Sequence, residues 1–533
     1  MNDEKTESRH FEKTMSNSTV DPKAQDFGQS WGDAAQAILG DHTHAPVIVS
    51  AEDNARVLRK TDLWLLPVML GIYFLQQLDK STLAYASVFN LSANDHLVGY
   101  QYSALGSVVY AGVSTHLRLS RRSCSSDSPV GRWLAFNILA WGITLSAMTS
   151  ANNFKTLVTA RFFLGLFEAT VAPTFVTITA MWWRRREQTQ RTTLWYAMNG
   201  LTTVFGSILS FGLGHIHSHL KPYQIIFLFT GLITVAYSAV VYLVLPDSPT
   251  TARFLTHEEK ILVVERLRAN NTGTETKTWK WAQVRECLFD PKTWFWFCMI
   301  FCISVPSGGI STFGPLIVQS FGFNQLNTIL LQMPFGAIQI IATLGGGYAA
   351  MHLKLKYPVL IGLTLPPIAG AAALLHIPRG ATHKGARCLV HIISSRSTPA
   401  SRPLIYTWSS QNTAGHTKKT LTTGILFVGQ SAGNILGPFL YTTDQAPVYK
   451  KGLTSSLACF ALLTCFFIAA AAHLALLNRS HAARRVAMGK TGDLVDASLE
   501  DAKNAGAAQE ANGAQFAVNA FDDLTDKANE DFI

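Results

Sequence analysis

Charge is what this chain has least of. Only 15% of its 533 residues are Asp, Glu, Lys or Arg, well short of the quarter or so that solvates an ordinary soluble enzyme. Organised cysteine chemistry is lacking too. The seven cysteines follow no regular spacing, which argues against a disulfide framework and a zinc site. Cys298, Cys302, Cys459 and Cys465 lie inside apolar runs, where a thiol is a small hydrophobe. No nucleotide-binding loop, metal-ligand cluster or nucleophile motif is visible, and His215, His217 and His219 crowd one short connection. The expectation is a protein that is not an enzyme, with no cofactor and no metal. Met1 to Arg59 is polar without a short apolar core before a cleavage site, so no signal peptide is expected.

Hydrophobic runs are what the chain has in abundance. Apolar residues make up 48% of it and the mean hydropathy is +0.18. A helix needs roughly 20 apolar residues to cross a bilayer, and convincing runs lie near 63–86, 133–148, 154–183, 193–216 and 225–245. A second series follows near 293–318, 328–351, 357–377, 422–441 and 454–477. Two further regions start well and then fail. The run SALGSVVYAGVS breaks into THLRLSRRSCSSDS, and RCLVHIISSRSTPASRP holds only a brief apolar core. The predicted fold is therefore an all-α integral membrane protein with two six-helix halves, its second and tenth spans poorly formed. Its expected parts are an N-terminal tail over 1–58, halves over 59–245 and 293–477, a linker over 246–292 and a C-terminal tail over 478–533.

Positive charge tests that topology. With the N-terminus inside, the cytoplasmic connections hold Arg118, Arg121, Arg122, Arg132, Arg184, Arg185, Arg186, Arg191, Lys354, Lys356, Lys418 and Lys419, whereas the outer connections near 90–99 and 320–326 hold no Lys or Arg. Arg379, Lys384, Arg387, Lys450 and Lys451 run against this bias. The net charge of +10 is then a membrane protein's cytoplasmic excess rather than a nucleic-acid surface.

Intramembrane polar residues are the functional candidates, because ionisable groups at membrane depth persist mainly where they face a bundle interior or a water-filled path. Gln76, Asp79 and Lys80 share the first span, with Gln76 one helical turn from both charges. The natural roles are an anionic substrate for Lys80 and a proton or an ion pair for Asp79; the competing reading is a buried structural pair. Arg161 and Glu168 stand two turns apart on one face, roughly 10 Å along the axis, so each needs a partner elsewhere. Glu168 is the second proton candidate, and Arg161 fits substrate charge and static salt bridge equally. In the second half Gln332, Trp408, Gln411, Asn412, Gln430 and Asn434 are candidate hydrogen-bonding residues, with helix–helix adhesion as the alternative. Pro306-Ser307-Gly308-Gly309 is expected to interrupt the seventh span and Pro334 with Gly336 the eighth, while Gly429, Gly433 and Gly437 recur every four residues. Such positions surround transporter sites or simply pack closely. Thr256 and Glu259 have capping-box spacing, opening a linker helix that either touches both halves during switching or is a docked structural helix, the second being the expectation. Asn90 begins a glycosylation sequon on the outer side, too near the membrane for occupancy to be expected.

The segments YFLQQLDKSTLAYASV, ARFFLGLFEATVAPTF, MWWRRREQTQRTTLWYAMNG, LPDSPTTARFLTHEEK, VPSGGISTFGPLI and YTWSSQNTAGHTKKTLTTGILFVGQSAGNILGPFLY resemble fungal allantoate permease-type transporters, of the anion:cation symporter branch of the major facilitator superfamily. The resemblance spans about residues 55–490. It implies twelve helices, alternating access around a central cavity, and proton-coupled movement of a small organic anion such as allantoate, ureidosuccinate or nicotinate. It also implies proton coupling at Asp79 and Glu168 and substrate charge at Lys80 and Arg161. A monomer in the plasma membrane with both termini cytoplasmic is expected, with a vacuolar or other internal membrane as the alternative. Alternative functions are transport of a fungal secondary metabolite, for example a patulin-like acid or lactone, and a non-transporting nutrient sensor. The pattern departs at about 115–128 and at 387–402. After each of them, at Pro129 to Trp133 and at Pro403 to Tyr406, the chain returns abruptly to register, as out-of-frame translation or a misread splice site would leave it.

Overall fold

The computed structural model describes residues 51–123, 130–183, 185–249, 251–268, 279–353, 355–377, 384–396, 401–442, 445–446, 449–489 and 525–527. The expected N-terminal tail up to residue 50 and most of the C-terminal tail lie outside these residues.

The first group of helices is α1 (Ala51–Val88), α2 (Leu91–Asn94), α3 (Gln101–Ser123), α4 (Val130–Ala147), α5 (Phe154–Glu168), α6 (Val171–Trp182), α7 (Arg185–Leu213) and α8 (Pro222–Val244). Two shorter helices follow, α9 (His257–Arg268) and α10 (Trp281–Phe289). The second group is α11 (Pro291–Gln319), α12 (Gln325–Leu330), α13 (Met333–Leu353), α14 (Tyr357–His376), α15 (Lys384–Arg396), α16 (Ser401–Gln411), α17 (His416–Leu440) and α18 (Lys450–Ala487). By length and composition six of the described helical segments are apolar enough to cross a membrane. Among the segments that miss that threshold are α1, α3, α7 and α17, and of these α1, α7 and α17 carry many of the polar residues of the interior. Phe136, Ile143, Phe205, Leu243, Ile341, Tyr348, Val428 and Leu476 stay exposed along the bundle. In water these would be a liability; in hydrocarbon they are the lipid-facing surface.

Several boundaries differ from expectation. Helix α1 begins at Ala51, before the apolar run, with Glu52 and Asp53 in its first turn, where acidic groups complement the helix dipole. Helix α18 continues to Ala487 through the basic segment expected to be tail. The region expected to break the second span is helical to Ser123, and α15 forms where the tenth span looked damaged. Hydropathy measures transfer into lipid, whereas a helix needs only its own backbone bonds. Residues 124–129 and 397–400 lie outside the described residues. Pro306 and Pro315 do not interrupt α11, which runs unbroken through both. Neighbouring helices and local adjustments can satisfy the carbonyls that such prolines leave. The eighth span does break, between α12 and α13, just ahead of Pro334. Proline restricts the residue before it and supplies no N–H. The fourth breaks likewise, with Ala169 and Thr170 between α5 and α6.

Glycine lets the two groups approach. A Cβ at Gly437 would lie 2.3 Å from Val305 O, and one at Gly433 2.7 Å from Ser304 Cβ, so α17 presses its four-residue stripe directly onto α11. Close packing, one of the two readings of that stripe, is realised. Between the groups, a Cβ at Gly200 of α7 would lie 2.5 Å from Gly336 O of α13.

The linker helix is docked. Thr256 N–H donates to Glu259 Oε2 at 2.9 Å and Glu259 N–H to Thr256 Oγ1 at 3.3 Å, completing the capping box. Val263 is buried, and Lys60 of α1 reaches Glu259 at 2.7 Å. Burial disfavours the Glu259 charge, but Lys60 and Thr256 outweigh it and hold the carboxyl below its usual range. At the same end of the second group Lys418 bridges Asp290 at 2.7 Å, Glu286 at 2.9 Å and Asp526 at 2.9 Å. Asp526, from the C-terminal tail, also pairs with Lys292.

Candidate functional site

A cavity of about 170 Å³ lies between the two groups. Helix α1 contributes Tyr73, Gln76, Gln77 and Lys80, α7 contributes Trp195, Tyr196 and Asn199, and α17 contributes Phe427, Gln430 and Asn434. Gln332 enters from the break between α12 and α13, Gln339 from α13 and Arg402 from α16. Seven carboxamides therefore face one space: Gln76, Gln77, Asn199, Gln332, Gln339, Gln430 and Asn434. Several are held in place. Asn199 Nδ2 donates to Tyr196 O at 2.9 Å, Asn434 Nδ2 to Gln430 O at 2.8 Å, and the Tyr406 hydroxyl to Gln430 Oε1 at 2.6 Å. Aromatic faces and amide groups around a small cavity suit a compact polar solute rather than a lipid.

Lys80 lines this cavity, but its ammonium is engaged. Lys80 Nζ lies 2.6 Å from Glu168 Oε1, and the Glu168 side chain is almost wholly buried, at 1% exposure. Glu168 ends α5 immediately before the break, and Gln76 Nε2 donates to its main-chain oxygen at 3.4 Å. Arg161, on the same helix, is buried against a smaller space of about 20 Å³, also lined by Lys80 and Tyr110. Its Nε has no hydrogen-bond partner. Asp79 points elsewhere. Its Oδ2 accepts the Trp141 indole N–H at 2.5 Å, with Thr234 Oγ1 at 3.5 Å. The charges of Asp79, Arg161 and Glu168 nevertheless act on one another within the bundle.

The predicted site residues thus divide. Gln76, Lys80, Gln332, Gln430 and Asn434 meet at the main cavity, with Glu168 behind Lys80 and Arg161 behind the smaller space. Asp79 belongs to the interior of the first group. Trp408 does not line the cavity; it packs edge-on to Trp296 at 5.0 Å within the core of the second group. Asn412 lies at the charged helix ends, where its main-chain oxygen accepts from Lys292 at 3.1 Å, and Gln411 pairs with Lys356. Asn90 is exposed in the turn after α1, in left-handed conformation with φ 62°. Sequence reasoning missed Arg402, because that residue closes the stretch where the family pattern fails. It also missed Tyr73, Trp195 and Tyr196, whose aromatic character resembles ordinary helix packing, and Asn199 beside them.

The cavity is closed at the end where α1 leads into α3. There the Tyr102 hydroxyl donates to Thr312 O at 2.8 Å, Ser107 Oγ to Ile435 O at 2.8 Å and Ser103 Oγ to Tyr441 O at 3.1 Å. These bonds join α3 of the first group to α11 and to α17 with its following residue.

A lipid-facing bundle in two helical groups, enclosing a charged and amide-lined chamber sealed at one end, is the architecture of a membrane transporter. Comparison with known proteins agrees. The model of the Major Facilitator Superfamily matches residues 127–438. The thiamine pathway transporter THI73 of Saccharomyces cerevisiae is 35% identical over 75% of this chain and 76% of its own. The allantoate permease of the same yeast is 28% identical over 78% of each. Among solved structures, a bacterial homologue of the human lysosomal transporter Spinster, inward-facing and unoccupied, superposes with a TM-score of 0.56 at 14% identity, over 79% of this chain and 97% of its own. The chain belongs to the major facilitator superfamily, as a multi-pass membrane transporter of the allantoate permease type.

Proposed function

We propose that this chain carries a small organic anion across the membrane together with a proton, and that the Lys80–Glu168 pair links the two. One observation carries the reading: Lys80, a cation lining the cavity, is held 2.6 Å from a buried carboxylate. While Glu168 is charged, it occupies Lys80. A proton on Glu168 cancels that attraction and releases the ammonium to a substrate carboxylate. Proton and anion then cross as one unit, and the loaded site carries less unpaired charge through the low-dielectric bundle than it would with either alone. Asp79 and Arg161 share the same buried charge group; Asp79 serves as a second protonatable site and Arg161 as the cation that steadies it.

The relatedness to an allantoate permease supports an allantoate-, ureidosuccinate- or nicotinate-like acid as substrate. The chain works as a monomer in the plasma membrane, with both termini in the cytoplasm and the sealed end outward. The test is uptake of labelled allantoate and nicotinate by cells expressing the chain, at pH 5 and pH 7. Faster uptake at pH 5 that a protonophore abolishes is the expected result. A membrane-localised protein that moves neither acid in either direction at either pH overturns the reading.

A further inference from the structure

We propose that Arg402 is the anion anchor of the cavity, taking the substrate's carboxylate on its Nε–Nη2 edge while Lys80 is still held by Glu168. The inference rests on the anion-transport reading and adds to it the residue that binds first.

Arg402 projects from α16 into the cavity lining. Its Nε and Nη2 are both buried without a hydrogen-bond partner, and no described carboxylate forms an ion pair with it. Those two nitrogens bound one edge of the guanidinium. Their N–H groups run parallel at the spacing of two carboxylate oxygens, the bidentate arrangement in which arginine differs from lysine. Leaving two donors of a cation buried and unbonded is costly, and a purely structural arginine would be expected to satisfy them on nearby oxygens. Phenol groups are close, since the charge of Arg402 acts on Tyr73, Tyr196 and Tyr406. Yet two of these hydroxyls are engaged elsewhere: Tyr406 donates to Gln430, and Tyr73 accepts from Asn199 at 3.3 Å. The open edge is therefore available to a ligand.

The position of Arg402 adds a second reason. Lys80 comes from the first helical group and Arg402 from the second, and the two cations act on each other across the cavity. An anion between them removes that repulsion and attracts both groups, which is what a substrate must do to close a chamber between two halves. With Lys80 neutralised by Glu168, Arg402 is the cation of this cavity without a carboxylate partner among the described residues. Binding then precedes protonation, and the proton governs movement rather than capture. Arg402 ends the stretch in which the sequence leaves the family pattern, so this anchor belongs to the chain's own residues and not to the resemblance.

The experiment uses the full-length chain and whichever of allantoate or nicotinate the wild type transports, with the corresponding uncharged carboxamide as competitor. Arg402→Gln should raise KM for the acid by about tenfold to a hundredfold, leave kcat within about twofold, and leave competition by the carboxamide unchanged. A KM for the acid within twofold of wild type overturns the anchor while the transport reading stands. An equal weakening toward acid and carboxamide also overturns it, since that marks a structural role. If Arg402→Gln does not reach the membrane, Arg402→Lys decides: it keeps the charge and loses the fork, so KM should rise by about tenfold, and an unchanged KM overturns the proposal. A wild type that moves neither acid is the separate failure of the transport reading.

Discussion

The indole N–H of Trp141 donates to Asp79 Oδ2 at 2.5 Å, so the carboxylate next to Lys80 is turned into α4 and away from the cavity. Asp79 is fully buried and its Oδ1 has no partner. Trp141→Phe would leave the carboxyl with Thr234 alone. Losing a donor to a buried charged group costs about 1–3 kcal/mol. The expected outcome is a lower thermal midpoint in detergent with the affinity for anion retained. A midpoint equal to wild type would show that Trp141 does not hold Asp79.

Glu168→Gln removes the titratable partner of Lys80 and keeps its shape. Transport by this variant should lose its dependence on external pH between 5 and 7. Accumulation against a gradient should stop, while exchange of internal for external anion continues. Counterflow in reconstituted vesicles separates the two, and retained proton-driven accumulation would remove Glu168 from the coupling.

Helix α17 offers a packing test with its own control. Gly437→Ala places a methyl group against Val305 O and Gly309 N, at 2.3 and 2.7 Å before relaxation. Gly424→Ala on the same helix meets nothing within 4 Å. Overpacking costs about 1–3 kcal/mol, so the first variant should melt measurably earlier and the second should not. Equal midpoints would mean that α11 and α17 separate freely.

The C-terminal tail should release at acid pH. Burial opposes the charge of Asp526, but Lys292 and Lys418 outweigh it and hold the carboxyl below its usual range. A depressed folded value contributes docking energy that is fully present above the ordinary value near 4 and is lost as pH falls through the folded one. Hydrogen exchange around Thr525–Lys527 should therefore show protection at pH 7 and pH 5 that fades as pH is lowered progressively below 4. Asp526→Asn should be unprotected throughout. Protection that persists in the variant would assign the docking to the Arg484 contact with Lys527 O.

Much of this was legible in the chain. Long apolar runs mark the spans because lipid demands them, and the Thr256–Glu259 spacing foretold a cap whose bonds are purely local. Lys80 and Glu168 stood out singly because charge is rare at membrane depth. Their pairing was not readable, since it depends on how α1 lies against α5. Trp408 and Asn412 misled for the reverse reason: their polar atoms look functional in a string, and only packing sends one to a core and the other to a helix end. Arg402 was hidden because the residues around it do not read as a span at all.

The seal at the far end of the cavity has an asymmetry of authorship. Its three hydroxyls come from side chains of α3, and all three acceptors are main-chain oxygens. Substitutions at Thr312, Ile435 or Tyr441 keep the acceptor whatever the new side chain, whereas a change at Tyr102, Ser103 or Ser107 deletes a bond outright. The gate's vocabulary is thus written on one half alone. The opposite half stays free to vary its side chains toward different cargoes without rewriting the latch.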